Sequence, residues 1–341
     1  MILMKNFSLL LLFVFLFIQP ISAKAQTDEK TLLWEISGNG LKKKSYLFGT
    51  YHLVNNGLLD HYPSVTKAMR KSKTIVVETV IDSSELGALS LLMMAPDGPG
   101  WINALTAAEK SKLDKSLKQF VGVGVGVEQM AVLKPSALSA TLAMMATRAA
   151  LEDTLKMYKG EPIDGWIAKQ GKKKKKQLVA LESLKEQFEM LYMSDSMSAQ
   201  IAQLQVLITQ IDSLDQFTTE LYYAYLAQDH RAMQAIAEKH ADQMGSMQTL
   251  LDDRNKRWMA TLPQLMAQKP TFIAVGALHL SGEQGLVQLL RRAGYTVKPM
   301  RNRYEKHPSD GGDASVILLL LLPALMSDGR FIQKDKQHDI G

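Results

Sequence analysis

A short pattern occurs twice in this chain, Gly49-Thr50-Tyr51-His52-Leu53 near one end and Gly276-Ala277-Leu278-His279-Leu280 near the other. Each copy follows an apolar, β-prone run, Ser45–Phe48 or Thr271–Val275, and each precedes a helical pattern. Each histidine therefore stands where a strand ends. In open α/β sheets the loops at the carboxyl ends of strands face a crevice in which ligands and catalytic groups collect. Two such strands from opposite ends of the chain predict a sheet that both ends build, with the two histidines at one site.

The segments between fit that frame. Leu32–Ile36 and Ser45–Phe48 read as strands joined around Gly38-Asn39-Gly40, which supplies hairpin turn chemistry. A helix begins near Pro63, and Thr74–Val80 is a β-branched strand with Glu78 inside it. Residues 83–95, 106–119 and 135–158 read as helices, with Thr106 and Glu109 spaced as a capping box and Pro135 suited to a first helical turn. Gln177–Leu181 is a brief strand, and from Leu184 to about Gln268 the pattern is almost wholly helical. Ser281 and Gln284 repeat the capping-box spacing directly after His279, and Tyr295–Pro299 closes as a last strand. The expected fold class is α/β (α+β): a mixed sheet assembled from N- and C-terminal segments, with a large helical insertion over about residues 83–268.

Residues 1–25 read as a secretory signal peptide rather than as part of the fold. Lys5 gives a positive start, Phe7–Ile18 an apolar stretch too short to span a membrane, and Ala23-Lys24-Ala25 a small-x-small cleavage signal. No cysteine follows the stretch to carry a lipid anchor, and the chain has none anywhere. The expectation is an exported protein, periplasmic or extracellular, with no stable membrane anchor after cleavage. Stability must then come from the core, and a metal site from imidazole and carboxylate. Residues 26–303 form the expected domain, and 304–341 a polar, Gly-rich tail broken by the apolar run Val316–Leu322. The formal charge of +6 falls by two when Lys5 and Lys24 are removed, which is little incentive for an acidic partner. Lys172–Lys176 carries no interleaved aromatics and reads as a solvated turn, so no nucleic acid is expected as a partner. Gly122-Val123-Gly124-Val125-Gly126 lacks the Lys-Ser/Thr of a phosphate-binding loop and reads as a plain loop.

Two imidazoles and one carboxylate can hold a divalent cation and leave a position open for water or substrate. His52 and His279 supply the imidazoles, and Glu78, a charge in an apolar strand, supplies the carboxylate. An outward-facing place on an exposed strand is the alternative for Glu78. Glu182, at the end of the strand Leu178–Leu181, could move protons or could merely favour the start of the next helix. Arg254, beside Asn255, could clamp a carboxylate or steady an oxyanion, with a surface salt bridge as its plainer reading. His61, His230, His240 and His307 have no matched carboxylate and receive no role. Imidazole and carboxylate ligands suit zinc, manganese, cobalt or iron.

Taken together, Leu47-Phe48-Gly49-Thr50-Tyr51-His52, Val76-Val77-Glu78, Leu133-Lys134-Pro135, Ala180-Leu181-Glu182, Arg254-Asn255-Lys256-Arg257-Trp258 and the stretch Val275–Leu286 resemble the TraB/GumN/PrgY family, over roughly residues 30–300. The family is related to the Tiki proteins, which are metal-dependent proteases, and to esterase-like proteins. The resemblance implies a metallohydrolase-like core in which His52, His279 and Glu78 form the site, Glu182 and Arg254 lie near it, manganese or cobalt is the favoured ion with zinc possible, and the substrate is a peptide or protein. Its alternatives are a non-catalytic peptide or small-ligand binding protein of the same fold and a metal-free, esterase-like hydrolase. Nothing in the chain marks an oligomeric state.

Overall fold

The computed structural model describes residues 30–241 and 246–300. The expected signal peptide and the tail from residue 304, with Val316–Leu322, lie outside the described residues. Six strands form one sheet: β1 (Leu33–Ser37), β2 (Ser45–Thr50), β3 (Thr74–Val77), β4 (Gln177–Ala180), β5 (Thr271–Gly276) and β6 (Thr296–Pro299). Their order across the sheet is β4-β3-β5-β2-β1-β6. β1 pairs antiparallel with both β2 and β6, while β2, β5, β3 and β4 run parallel. The expected mixed sheet assembled from both ends of the chain is present, with β4 added at one edge from the middle of the sequence.

Composition explains this order. β2, β3 and most of β5 are buried, as central parallel strands covered on both faces must be, and they read as continuous apolar runs. β4 is half exposed, which suits an edge. β1 and β2 turn about Gly38, Asn39 and Gly40, all three in the left-handed region that a tight hairpin demands. The main core gathers around the sheet, and a second cluster joins the helices Ala107–Phe120, Pro135–Ala150 and Met197–Gln210. The first of these begins with the expected capping box, in which the Thr106 amide and hydroxyl donate to Glu109 Oε2 at 2.7 and 2.9 Å.

Some expectations change. β3 ends at Val77, so Glu78 is not inside the strand but at its carboxyl end. The capping box expected at Ser281 does not form: its hydroxyl is taken by His230, and the next helix starts only at Leu286 behind Gly285. The region from Leu184 to Gln268 is, as expected, almost wholly helical among the described residues, as a succession of separate helices. Four lysines of the run 172–176 are exposed as expected, but Lys176 is not: its ammonium donates to the carbonyls of Met69, Arg70 and Ser72, closing the end of the helix Pro63–Lys71.

Candidate functional site

Register decides what meets at the sheet's end. Thr50 of β2 lies beside Gly276 of β5, Ala274 of β5 beside Val77 of β3, and Val77 beside Ala180 of β4. The four parallel strands thus stop at nearly one level, and the residues just past them are His52, His279, Glu78 and Glu182. Because β5 is inserted between β2 and β3, His279 stands between His52 and Glu78. The glycine of each repeated pattern has a steric reason. A Cβ on Gly49 would lie 2.7 Å from Leu280 Cδ1 and 3.0 Å from the Ala277 backbone, and one on Gly276 would lie 3.2 Å from Glu78 Oε1. Only glycine lets β2 approach the turn that carries His279 and leaves room for the carboxylate.

Arg254, from the helix Asp253–Met259, reaches the centre of this group. Its Nη2 donates to Glu78 Oε2 at 2.5 Å, its Nε to both oxygens of Glu182 at 3.0 Å, and its Nη1 to His279 Nε2 at 3.1 Å. The guanidinium also lies over the ring of Trp258, 4.8 Å from its centroid. The Arg254, Glu78 and Glu182 side chains are buried, at 8, 12 and 6% exposure, so the charges compensate one another out of water. Glu182 is engaged on all sides, since Trp258 Nε1 and Arg257 Nη2 add to the hydrogen bonds from Arg254. Both of its oxygens are engaged, and it holds Arg254 in place. The plain surface salt bridge weighed for Arg254 does not describe this buried cluster.

The two histidines sit in opposite environments. His279 is buried; its Nδ1–H donates to Asn255 Oδ1 at 2.8 Å, and Asn255 Nδ2 in turn donates to the carbonyls of His279 and Gln284. That fixes the neutral tautomer with its lone pair on Nε2. Burial pushes its pKa down to about 4, Arg254 and His52 acting in the same direction against Glu78. His52 is exposed, and its Nδ1–H donates to Asp164 Oδ2 at 2.9 Å, while Thr50 Oγ1 donates to Asp164 Oδ1. Hydrogen bonding and charge from Asp164 push its pKa up to about 9. For Glu78, burial would raise the carboxyl, but His279, Arg254, His52 and the Gly276 N–H, which donates to Oε1 at 2.6 Å, outweigh it and hold the pKa at about 2. Above pH 4 His279 is neutral, so Arg254, the protonated His52 and the Gly276 amide carry that effect.

These shifts predict a bounded stability profile. Glu78 and His279, both depressed, contribute stability that is complete above their ordinary values of 4.5 and 6.5 and is lost as pH falls through about 4 and then about 2. His52, raised, contributes below 6.5 and loses its share as pH rises through about 9. A plot of Tm against pH is expected to peak near neutrality and fall on both sides, with the larger total loss on the acid side, where two groups titrate against one on the alkaline side.

His52, Glu78, Asp164 and Arg254 line a cleft of about 790 Å³, while Glu182 and His279 lie behind its wall. Whether a divalent cation suits these residues rests on the donors. Each imidazole gives Nδ1 to an oxygen acceptor, Asp164 or Asn255, which leaves Nε2 as the donor atom in the manner of metal-binding histidines. His279 Nε2 and Glu78 Oε1 are 3.8 Å apart, close to the ~3.5 Å between two ligands of one tetrahedral ion. As folded, however, Arg254 Nη1 holds the Nε2 lone pair, and among the described residues no three His, Asp or Glu side chains converge on one cation position. The donor types fit a cation in chemistry, and their placement fits one only once Arg254 releases His279 and His52 joins the His279–Glu78 pair.

Of the five residues marked in the sequence, Glu78, Glu182, Arg254 and His279 join in one hydrogen-bonded cluster, while His52 is bonded to Asp164 and shares the cleft with Glu78 and Arg254. Asp164 was not marked: at the start of the helix Ile163–Lys173 it reads as a helix-dipole charge, and only the fold places it beside β2. The model of the TraB/PrgY/gumN family matches residues 32–299. The chain belongs to this family. It is also similar to a curated relative, the metalloprotease TIKI1 of Danio rerio, at 25% identity over 343 residues, covering 86% of this chain and 69% of that protein. No solved structure matches significantly. Among the described residues no helix is long and apolar enough to cross a membrane. Family and relative together hint at a hydrolase.

Proposed function

We propose that this protein is an exported metal-dependent peptidase, working in the periplasm or outside the cell on a peptide or protein substrate. The observation that supports the reading is that His52, Glu78 and His279 follow the ends of three neighbouring parallel strands, with each imidazole donating Nδ1–H to an oxygen so that in the neutral ring its Nε2 carries the lone pair. His52, Glu78 and His279 would hold the cation, manganese or cobalt ahead of zinc, and the cation supplies a Lewis acid when bound. Arg254, once released from His279, remains anchored by Glu182 and can donate to the carbonyl oxygen of the scissile bond as negative charge develops there. His52, held protonated by Asp164 when no ion is bound, competes with the metal for Nε2, so cation affinity is expected to rise with pH towards about 9.

The test is calorimetric titration of the dialysed full chain with manganese, alongside cleavage of a peptide library read by mass spectrometry. One equivalent bound, tighter at pH 8 than at pH 6 and lost in Glu78→Gln, is the expected result. Absence of binding at both pH values would sink the metal reading. A second reading, a metal-free acyl hydrolase, is favoured by the hydrogen bond from Arg254 to His279 Nε2, which leaves the charges of the site balanced without an ion. Cleavage that survives chelation supports it, and binding without any cleavage supports a capture protein.

A further inference from the structure

The cleft beside the histidines does not end at them. Its far wall is apolar, built from Val80, Ile81, Ala168, Met190, Leu191 and Leu250, of which Ile81 and Leu191 are 68 and 43% exposed. Met190, Leu191 and Leu250 also form the near wall of a second cavity of about 370 Å³ between the helices Pro135–Ala150, Leu184–Met193 and Met197–Gln210. The character changes there, for this pocket is lined by the hydroxyls of Ser136, Ser139, Ser194, Ser246 and Thr249 with Asp195 beside them. Ser139 Oγ is buried and has no hydrogen-bond partner among the described residues, which costs free energy unless something supplies one. Charge is nearly balanced along the first cavity: Arg254 meets Glu78, His52 meets Asp164, and Lys169 meets Glu161. Lys172, on the same rim, makes no ion pair among the described residues, and its charge is felt weakly at Asp82.

We propose, resting on the peptidase reading above, that the two cavities form one substrate groove for an extended peptide. A large apolar side chain sits against Met190 and Leu191 next to the scissile bond, the chain passes over Leu250, and its backbone amides meet the hydroxyls of the second cavity. An acidic residue of the peptide answers Lys172. A free acyl chain would gain from the first cavity but nothing from the second, where the Ser139 hydroxyl lacks a partner and those of Ser136, Ser194 and Thr249, which donate within the protein, can still accept from a peptide amide.

The test is fluorescence anisotropy of the full chain with fluorescein-labelled tripeptides and hexapeptides carrying Leu, Phe, Gly or Asp at one central position, with oleate as competitor and cleavage followed in parallel. Leu and Phe peptides are expected to bind ~10-fold or more tightly than Gly or Asp ones, the gain of burying one large side chain. Hexapeptides should outbind tripeptides, and Ser194→Trp or Ser139→Trp, filling the second cavity, should erase that length gain while sparing the central preference. Lys172→Glu should weaken acidic peptides selectively. Binding that ignores length and both tryptophan variants overturns the groove, as does oleate displacing every peptide at lower concentration than any of them binds. Peptides that bind in this pattern but are never cut keep the groove and remove the peptidase reading; peptides cut equally whatever their centre and length do the reverse.

Discussion

Arg254→Ala is expected to lower folding stability by about 3–5 kcal/mol, read as a shift of the urea midpoint with an unchanged slope. The guanidinium is the counter-charge for two buried carboxylates, Glu78 and Glu182, and without it both keep their desolvation penalty and lose their partner. A domain of this kind is stable by only about 5–15 kcal/mol, so the variant would sit close to unfolding. Arg257→Ala is the control. Its guanidinium is 60% exposed and touches Glu182 Oε1 at 3.3 Å, and such a pair is worth about 1 kcal/mol or less. The deficit of Arg254→Ala should also shrink in acid. Wild type loses stability as pH falls from 4.5 towards about 2, whereas in the variant an uncompensated Glu78 takes up its proton at higher pH. Equal losses in the two arginine variants would mean that the buried cluster does not hold the strand ends together.

His279→Ala is expected to abolish cation binding and turnover, a loss as complete as that from Glu78→Gln. Asn255→Ala removes only the acceptor of the Nδ1 proton and should weaken manganese binding about 10–100-fold, the usual cost of losing an outer partner of a metal-binding histidine. The pair separates ligand from support, because a His279 that merely filled space would show the two variants alike. His279→Ala also tests the acid profile, since the fall in Tm between pH 6.5 and about 4 belongs to this buried imidazole and should flatten in the variant. A variant that binds manganese like wild type removes His279 from the ligand set.

Much of the site was legible because strand ends are. A β-branched run followed by Gly-x-x-His locates a strand, its stop and the side chain beyond it, and two such runs at opposite ends of a chain have to meet if both are to be buried. Glu182 was readable in the same way, as a charge at the end of an apolar run, and Glu78 as a charge within one. What the linear pattern misplaced was local: the end of the strand before Glu78, expected at Val80 and found at Val77, and Ser281, whose hydroxyl found His230 rather than a helix amide. Hydrogen bonds to distant residues override local capping preferences, and no spacing rule carries them.

The sequence alone thus determined the mixed sheet, the family and the residue types at the carboxyl ends of its strands, since hydrophobic period and turn chemistry are local properties of the chain. Only the tertiary structure decided the electrostatics. It inserted β5 between β2 and β3, brought Asp164 and Asn255 to the two imidazoles, and set one arginine between two glutamates and a histidine. Charge in a low-dielectric interior depends on distances of a few ångströms between residues as much as 198 positions apart, as for Gly276 and Glu78. That is why one imidazole is held neutral and the other protonated, although both end the same pattern.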